Sequence, residues 1–157
     1  MSNFNKKGVC LDDVMPLIRE TLSEGKSVTF YPRGISMLPM LRQGRDSVTI
    51  SPIKGKLKRF DIPLYQRNDG KYVLHRIVRS GDSYTCIGDN QFCLEEGLDH
   101  GQMIAVVTSF SRDGKVHSVE EIGYKFYVLF WHYTRLLRRI WRGAKRRLKS
   151  IFKKGGK

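Results

Sequence analysis

Apolar residues recur at helical spacing at both ends of this chain and at strand spacing between them. Leu11, Val14, Leu17, Ile18 and Leu22 fall three and four residues apart, which predicts an amphipathic helix from about Asp12 to Glu24. Asp12 can cap it, Pro16 falls near its first turn and Gly25 can close it. Ser27 to Tyr31 reads as a strand that leads into a turn-rich segment. Beyond it, Val48 and Ile50 alternate with polar residues. Asp61 to Gln66 reads as a strand that Pro63 makes an edge or an irregular one. Asn68-Asp69-Gly70 predicts a hairpin turn. It feeds Lys71 to Arg79, and Gly81-Asp82 turns that strand into Ser83 to Ile87. Met103 to Phe110 is strongly apolar, and Arg112-Asp113-Gly114 turns into a last strand, Lys115 to Val119. Turns every eight to twelve residues predict a mainly β fold, a small barrel or folded sheet.

After residue 120 the character changes. Ile122 to Tyr133 is rich in aromatic residues. Leu137, Ile140, Trp141, Ala144, Leu148, Ile151 and Phe152 then keep helical spacing, with basic residues between them. The expected organisation is therefore a β domain with an N-terminal helix over 1–120 and a helical tail over 121–157.

Charge sharpens that division. The chain of 157 residues holds 29 Lys and Arg against 15 Asp and Glu, a formal charge of +14. Twelve of the cations and none of the acids lie in 124–157, so the preceding body is near +2. A neutral domain with a basic amphipathic tail points to an anionic membrane surface as partner through residues 136–157. Nucleic acid ranks behind it, because the basic residues do not cover the domain. Met1 to Val9 is polar and does not read as a signal peptide, and no apolar run reaches 18 residues. Three cysteines, Cys10, Cys86 and Cys93, have no regular spacing, which argues against a disulfide framework and fits a reducing compartment. No zinc-binding spacing is present, and no cofactor is expected.

Three residues can carry chemistry. Ser36 lies in Gly34-Ile35-Ser36-Met37-Leu38-Pro39. Gly34 permits a tight turn and Pro39 opposes helix, so the serine hydroxyl should be presented on a turn. His75 lies in Tyr72-Val73-Leu74-His75-Arg76-Ile77-Val78. On one strand it would share a face with Val73 and Ile77, where partial desolvation favours the neutral, base-competent imidazole. Asp89, in Gly88-Asp89-Asn90, ends the next strand and can orient the imidazole. Glu95 and Glu96 can replace or assist it, and the choice among the three acids stays open here. Lys71, on the same strand face as His75, is the alternative base, and its place after a hairpin turn suggests exposure.

Together these pieces resemble the type I signal peptidase family and its relatives among self-cleaving repressor peptidases. The matching segments are Gly34-x-Ser36-Met37-x-Pro39, Gly44-Arg45-Asp46, Asp61-Ile62, Val73-Leu74-His75-Arg76-Ile77-Val78 and Gly88-Asp89-Asn90, in the family's order over roughly 34–107. The resemblance implies a serine endopeptidase of the histidine-base branch. Ser36 would be the nucleophile, His75 the base and Asp89 the third member, with the Ser36 backbone N–H as an oxyanion donor. Gly34, Met37, Leu38 and Pro39 would border an extended peptide substrate. Arg45 interrupts a family Gly-Asp, and Phe60 stands where the family usually has glycine. Gly34 stands where some bacterial members add a hydroxyl. Typical members also carry an N-terminal membrane anchor, and this chain opens on an amphipathic helix instead. The expected function is cleavage of a leader or precursor peptide in the cytoplasm, at the inner membrane face. The alternative is a non-enzymatic or self-cleaving regulatory module whose tail binds nucleic acid or membrane.

Overall fold

A computed structural model describes residues 11–141. The expected tail positions Ala144, Leu148, Ile151 and Phe152, and Cys10, lie outside them. Helix α1, Leu11–Ser23, opens the described chain and buries Met15, Ile18 and Leu22. Leu17, expected on that face, is exposed, and Met15 takes the place. Gly25 closes the helix at φ 76°, the left-handed region in which glycine carries no Cβ penalty.

Nine strands succeed it: β1 (Val28–Phe30), β2 (Ser47–Ser51), β3 (Pro63–Gln66), β4 (Tyr72–Leu74), β5 (Arg76–Ser80), β6 (Tyr84–Ile87), β7 (Glu95–Leu98), β8 (Met103–Arg112) and β9 (Lys115–Ser118). They form two antiparallel sheets without closing a barrel. The larger runs β1-β2-β8-β3-β4, with β9 also on β8, and the smaller runs β5-β6-β7. The mainly β expectation holds. β3 is not the edge that Pro63 suggested. Pro63 is its first residue, where its missing N–H is tolerated, and the ladder to β8 shifts register between Leu64 and Tyr65.

Two cores explain why β3 reads as a continuous apolar run. Leu64 enters a core with Ile18, Met40, Val48, Ile50 and Ala105. Its neighbour Tyr65 enters the other, with Ile77, Tyr84, Cys86 and Met103. Successive strand residues face opposite ways, so both faces of this strand are covered.

The expected continuous strand from Lys71 to Arg79 is broken at His75. β4 belongs to the larger sheet and β5 to the smaller, and His75 is the single residue between them. All five residues from Leu74 to Val78 are buried. Such a run does not fit a strand with one solvated face.

Helix α2, Ile122–Tyr133, packs back on the body. Val128 is buried, and Tyr124 and Tyr127 border the first core. Residues 135–141 are helical as well. Among the described residues no helix is long and apolar enough to cross a membrane.

Candidate active site

Ser36 lies on a turn, as its glycine and proline neighbours predict. Gly34 takes φ 92°, and the backbone folds through Leu38 N to Ile35 O and Leu41 N to Met37 O. Side chains then fix the end of the loop. Arg42 donates Nε and Nη2 to Asp46, at 2.8 and 2.7 Å. Asp46 also accepts the Arg42 backbone N–H and is completely buried. Arg45 therefore does not disturb this turn, since it is the Arg42–Asp46 fork that closes it. Phe60 takes a backbone conformation that favours glycine. Its φ is 80°, costly for a bulky residue.

The turn after β6 reaches across to Ser36. Asn90 donates its backbone N–H to Ser36 O at 2.7 Å and its side-chain amide to Ile35 O at 3.0 Å. Gly88 makes this approach feasible. A Cβ there would lie 2.7 Å from Ser36 O and 3.1 Å from His75 Nε2. One point thus touches both the Ser36 backbone and the His75 ring. Sequence reading placed Gly88 in a motif but missed this steric role, which comes from space and not from backbone angle. Among the described residues no hydrogen bond engages Ser36 Oγ or its backbone N–H. Nucleophile–base contacts are often long without substrate and tighten when it binds.

His75 is 2% exposed. Its Nδ1 lies 2.9 Å from Glu95 Oε1. The Tyr65 hydroxyl donates to Glu95 Oε2 at 2.6 Å, and Arg67 grips the same carboxylate through Nε at 2.7 Å and through Nη2. The Tyr65 proton is thereby directed to Glu95, which leaves the Nδ1–H of His75 to donate to that carboxylate. Nε2 is then the basic nitrogen, and it faces Gly88 and the Ser36 turn. Burial moves the His75 pKa below its ordinary value, and Arg67 adds to this against the pull of Glu95. Burial would raise Glu95, but the hydrogen bonds from Arg67 and Tyr65 outweigh it and hold the carboxyl below its usual range.

The orienting acid is therefore Glu95 and not Asp89. Asp89 receives Arg76 instead, through Nε and Nη2, both at 2.8 Å. The pair is 2% and 1% exposed. A forked guanidinium satisfies both carboxylate oxygens, and no comparable contact to His75 is formed. Glu96 is exposed and faces Arg79. Lys71 lines a cleft together with His75, but it is exposed and pairs with Asp69 at 3.0 Å. Tyr65 and Arg67, two residues apart on and just beyond β3, were missed. Their period-two spacing with an acid elsewhere was the available signal.

Ser36 and His75 line one cleft of about 400 Å³. One side of it is formed by Phe30, Tyr31 and Gly34, at the end of β1 and just past it, and the other by Tyr72 to Leu74 of β4. These are the two ends of the strand order β1-β2-β8-β3-β4, so the sheet curls until both of these edges border the same cleft. Met37 also lines it, whereas Leu38 and Pro39 do not. Among the described residues no group of His, Cys, Asp and Glu is placed to hold a metal ion. Comparison with protein families and with curated proteins gave no match.

Proposed function

We propose that the chain is a signal-peptidase-like serine endopeptidase acting through Ser36, His75 and Glu95. The observation that carries this reading is the meeting of the His75 Nε2 edge with the Ser36 turn across Gly88, while Nδ1 rests on a half-buried, doubly anchored carboxylate. In this reading Ser36 Oγ attacks the scissile carbonyl carbon as His75 Nε2 takes its proton. The Ser36 backbone N–H stabilises the oxyanion. The C–N bond breaks, the imidazolium protonates the leaving amine, and water hydrolyses the acyl-enzyme by the same base.

The substrate is an extended segment of a precursor peptide. An edge strand offers unpaired N–H and C=O groups, and the cleft offers two such edges. Met37 and Phe30 give it an apolar floor. The finer location, in the cytoplasm at the inner membrane face, belongs to the same proposal. It is supported by the free thiols of Cys86 and Cys93 and the basic tail.

The test is labelling by a fluorophosphonate probe across pH, with Ser36→Ala and His75→Ala. Labelling should vanish in the first variant and collapse in the second. It should survive Lys71→Ala. Labelling that persists in folded Ser36→Ala, or that depends on Lys71 and not His75, would overturn the assignment. Absence of labelling in folded wild type, with no cleavage of a peptide library, would favour the binding module instead.

A further inference from the structure

The outer face of α2 is at odds with a helix that only packs on its domain. Tyr124, Tyr127, Val128 and Trp131 turn inward. Ile122, Phe126, Phe130, Tyr133, Leu137 and Ile140 turn outward at three- and four-residue spacing, and Phe126 and Phe130 are 68% and 66% exposed. Nine of the thirteen exposed large apolar residues in the described chain fall between Ile122 and Trp141. This is one stripe and not a scatter, and such stripes mark an interaction surface.

We propose that the outer face of residues 122–141 docks flat on an anionic lipid surface. Charge selects the occupant. Lys125 and Arg139 are exposed beside the stripe. The segment 124–157 carries twelve cations and no acid in its sequence. A second copy of this chain would set two such segments against each other, and like charges oppose it. Nucleic acid would neutralise the cations but leave the phenylalanines in water. A leaflet with anionic headgroups accepts both, apolar side chains into the acyl boundary and cations at the phosphates. Aromatic residues in the stripe suit that boundary. The inference goes beyond the basic helix expected over 136–157, since the apolar face begins fourteen residues earlier, at Ile122. It does not depend on the peptidase assignment.

The docked helix also touches the site. Trp131 donates Nε1–H to Asp89 O at 2.8 Å, and the Tyr124 hydroxyl lies 2.8 Å from Arg76 Nη1. The inward face therefore holds the Gly88–Asn90 turn while the outward face meets the lipid.

The experiment uses the full chain carrying Ser36→Ala, so that proteolysis plays no part. Flotation is measured with phosphatidylcholine vesicles, with and without phosphatidylglycerol. The expected result is binding only when phosphatidylglycerol is present. A Phe126→Ser/Phe130→Ser variant, with an unchanged melting curve, should bind about a hundredfold more weakly, from about tenfold per phenylalanine taken out of water. Binding that is unchanged in this variant and abolished by salt would overturn the docking face, leaving attraction to the basic tail alone. Binding to duplex DNA but not to vesicles would overturn it in favour of nucleic acid. A dimer that dissolves in the double variant would assign the stripe to self-association and overturn it too.

Discussion

Replacing Glu95 by glutamine separates it from Asp89, two of the three acids that the sequence left open. The change keeps the volume and removes one charge. In the native site that carboxylate accepts from His75 Nδ1, Tyr65 and both donors of Arg67. A glutamine has one acceptor oxygen and one NH2 group. Arg67 and Tyr65 would hold the oxygen, so the NH2 would face Nδ1. Two donors cannot face each other, so the imidazole would move its hydrogen to Nε2, the nitrogen that accepts the Ser36 proton in the proposed mechanism. Loss of the correct tautomer by a comparable substitution costs about 10⁴ in a serine peptidase, so a loss of about 10³ or more is expected here, or roughly 4 kcal/mol of barrier. The pH profile should move as well. Glu95 raises the His75 pKa against its burial, so its neutralisation should shift the acid limb of the residual rate to lower pH. The assay is the second-order labelling rate of the fluorophosphonate probe from about pH 5 to 9, with a melting curve as control. A Glu95→Gln protein that labels at the wild-type rate with the same midpoint would refute the reasoning and return the role to Asp89.

The same geometry sets three further outcomes. Gly88→Ala should reduce labelling more than it reduces stability, because the new methyl group must displace Ser36 O or the His75 ring; a labelling rate equal to wild type would show that the approach is not as tight as 2.7 Å. Asp89→Ala should destabilise by about 3–5 kcal/mol, since it strands the guanidinium of a fully buried Arg76, and the melting temperature should fall by about 10 °C; a fall of a degree or two would mean that Arg76 finds water. Stability should decline on acidification. Glu95 is held below its ordinary pKa, so its contribution is complete above the usual glutamate range and is lost as pH falls from there through its lower folded value. His75 is also depressed, so below about 6.5 the unfolded chain takes up a proton there first and gains on the folded one. Denaturant midpoints that rise as pH falls from about 7 to 5 would contradict the sign for His75, and midpoints that rise on acidification below about pH 4.5 would contradict that for Glu95.

What the sequence made legible was local. The Ser36 turn follows from Gly34 and Pro39, α1 from its period, and most strands from alternation and turn residues. What it hid depended on contacts distant along the chain. Asp89 looked like the orienting acid because it ends a strand after His75, but Arg76, inside a fully buried run, needed a buried anion, and Asp89 lies within its reach. β7 escaped notice because Glu95-Glu96-Gly97-Leu98 has little strand preference. Its pairing with β6, Cys86 with Glu95 and Tyr84 with Leu98, makes it a strand. That pairing also turns Glu95 toward Tyr65 and His75. The break at His75 was invisible to period-two reading, since both halves keep strand spacing and only the partner sheet changes.

The break explains where the site is. Ser36 sits on a loop whose Met37, Met40 and Leu41 belong to the first core, while Glu95 leans on Tyr65, which belongs to the second. His75, the one residue between the two sheets, can offer one nitrogen to each side. A site built across two sheets is only as precise as the contacts that fix one sheet against the other. Arg76 supplies several of these at once. From β5 it reaches Asp89 after β6, Met40 Sδ in the Ser36 loop at 3.2 Å, the Phe60 carbonyl at 3.1 Å and the Tyr124 hydroxyl of α2. An Arg76→Leu/Asp89→Leu double variant would restore an apolar interior without an orphaned charge, and such replacements are often neutral or stabilising. It would nonetheless sever the links from β5 to the Ser36 loop and to α2. Stability near that of the wild type with labelling reduced about tenfold or more would therefore mark the pair as a positioning device. Labelling retained in full in that variant would mean that the two cores align the site by packing alone.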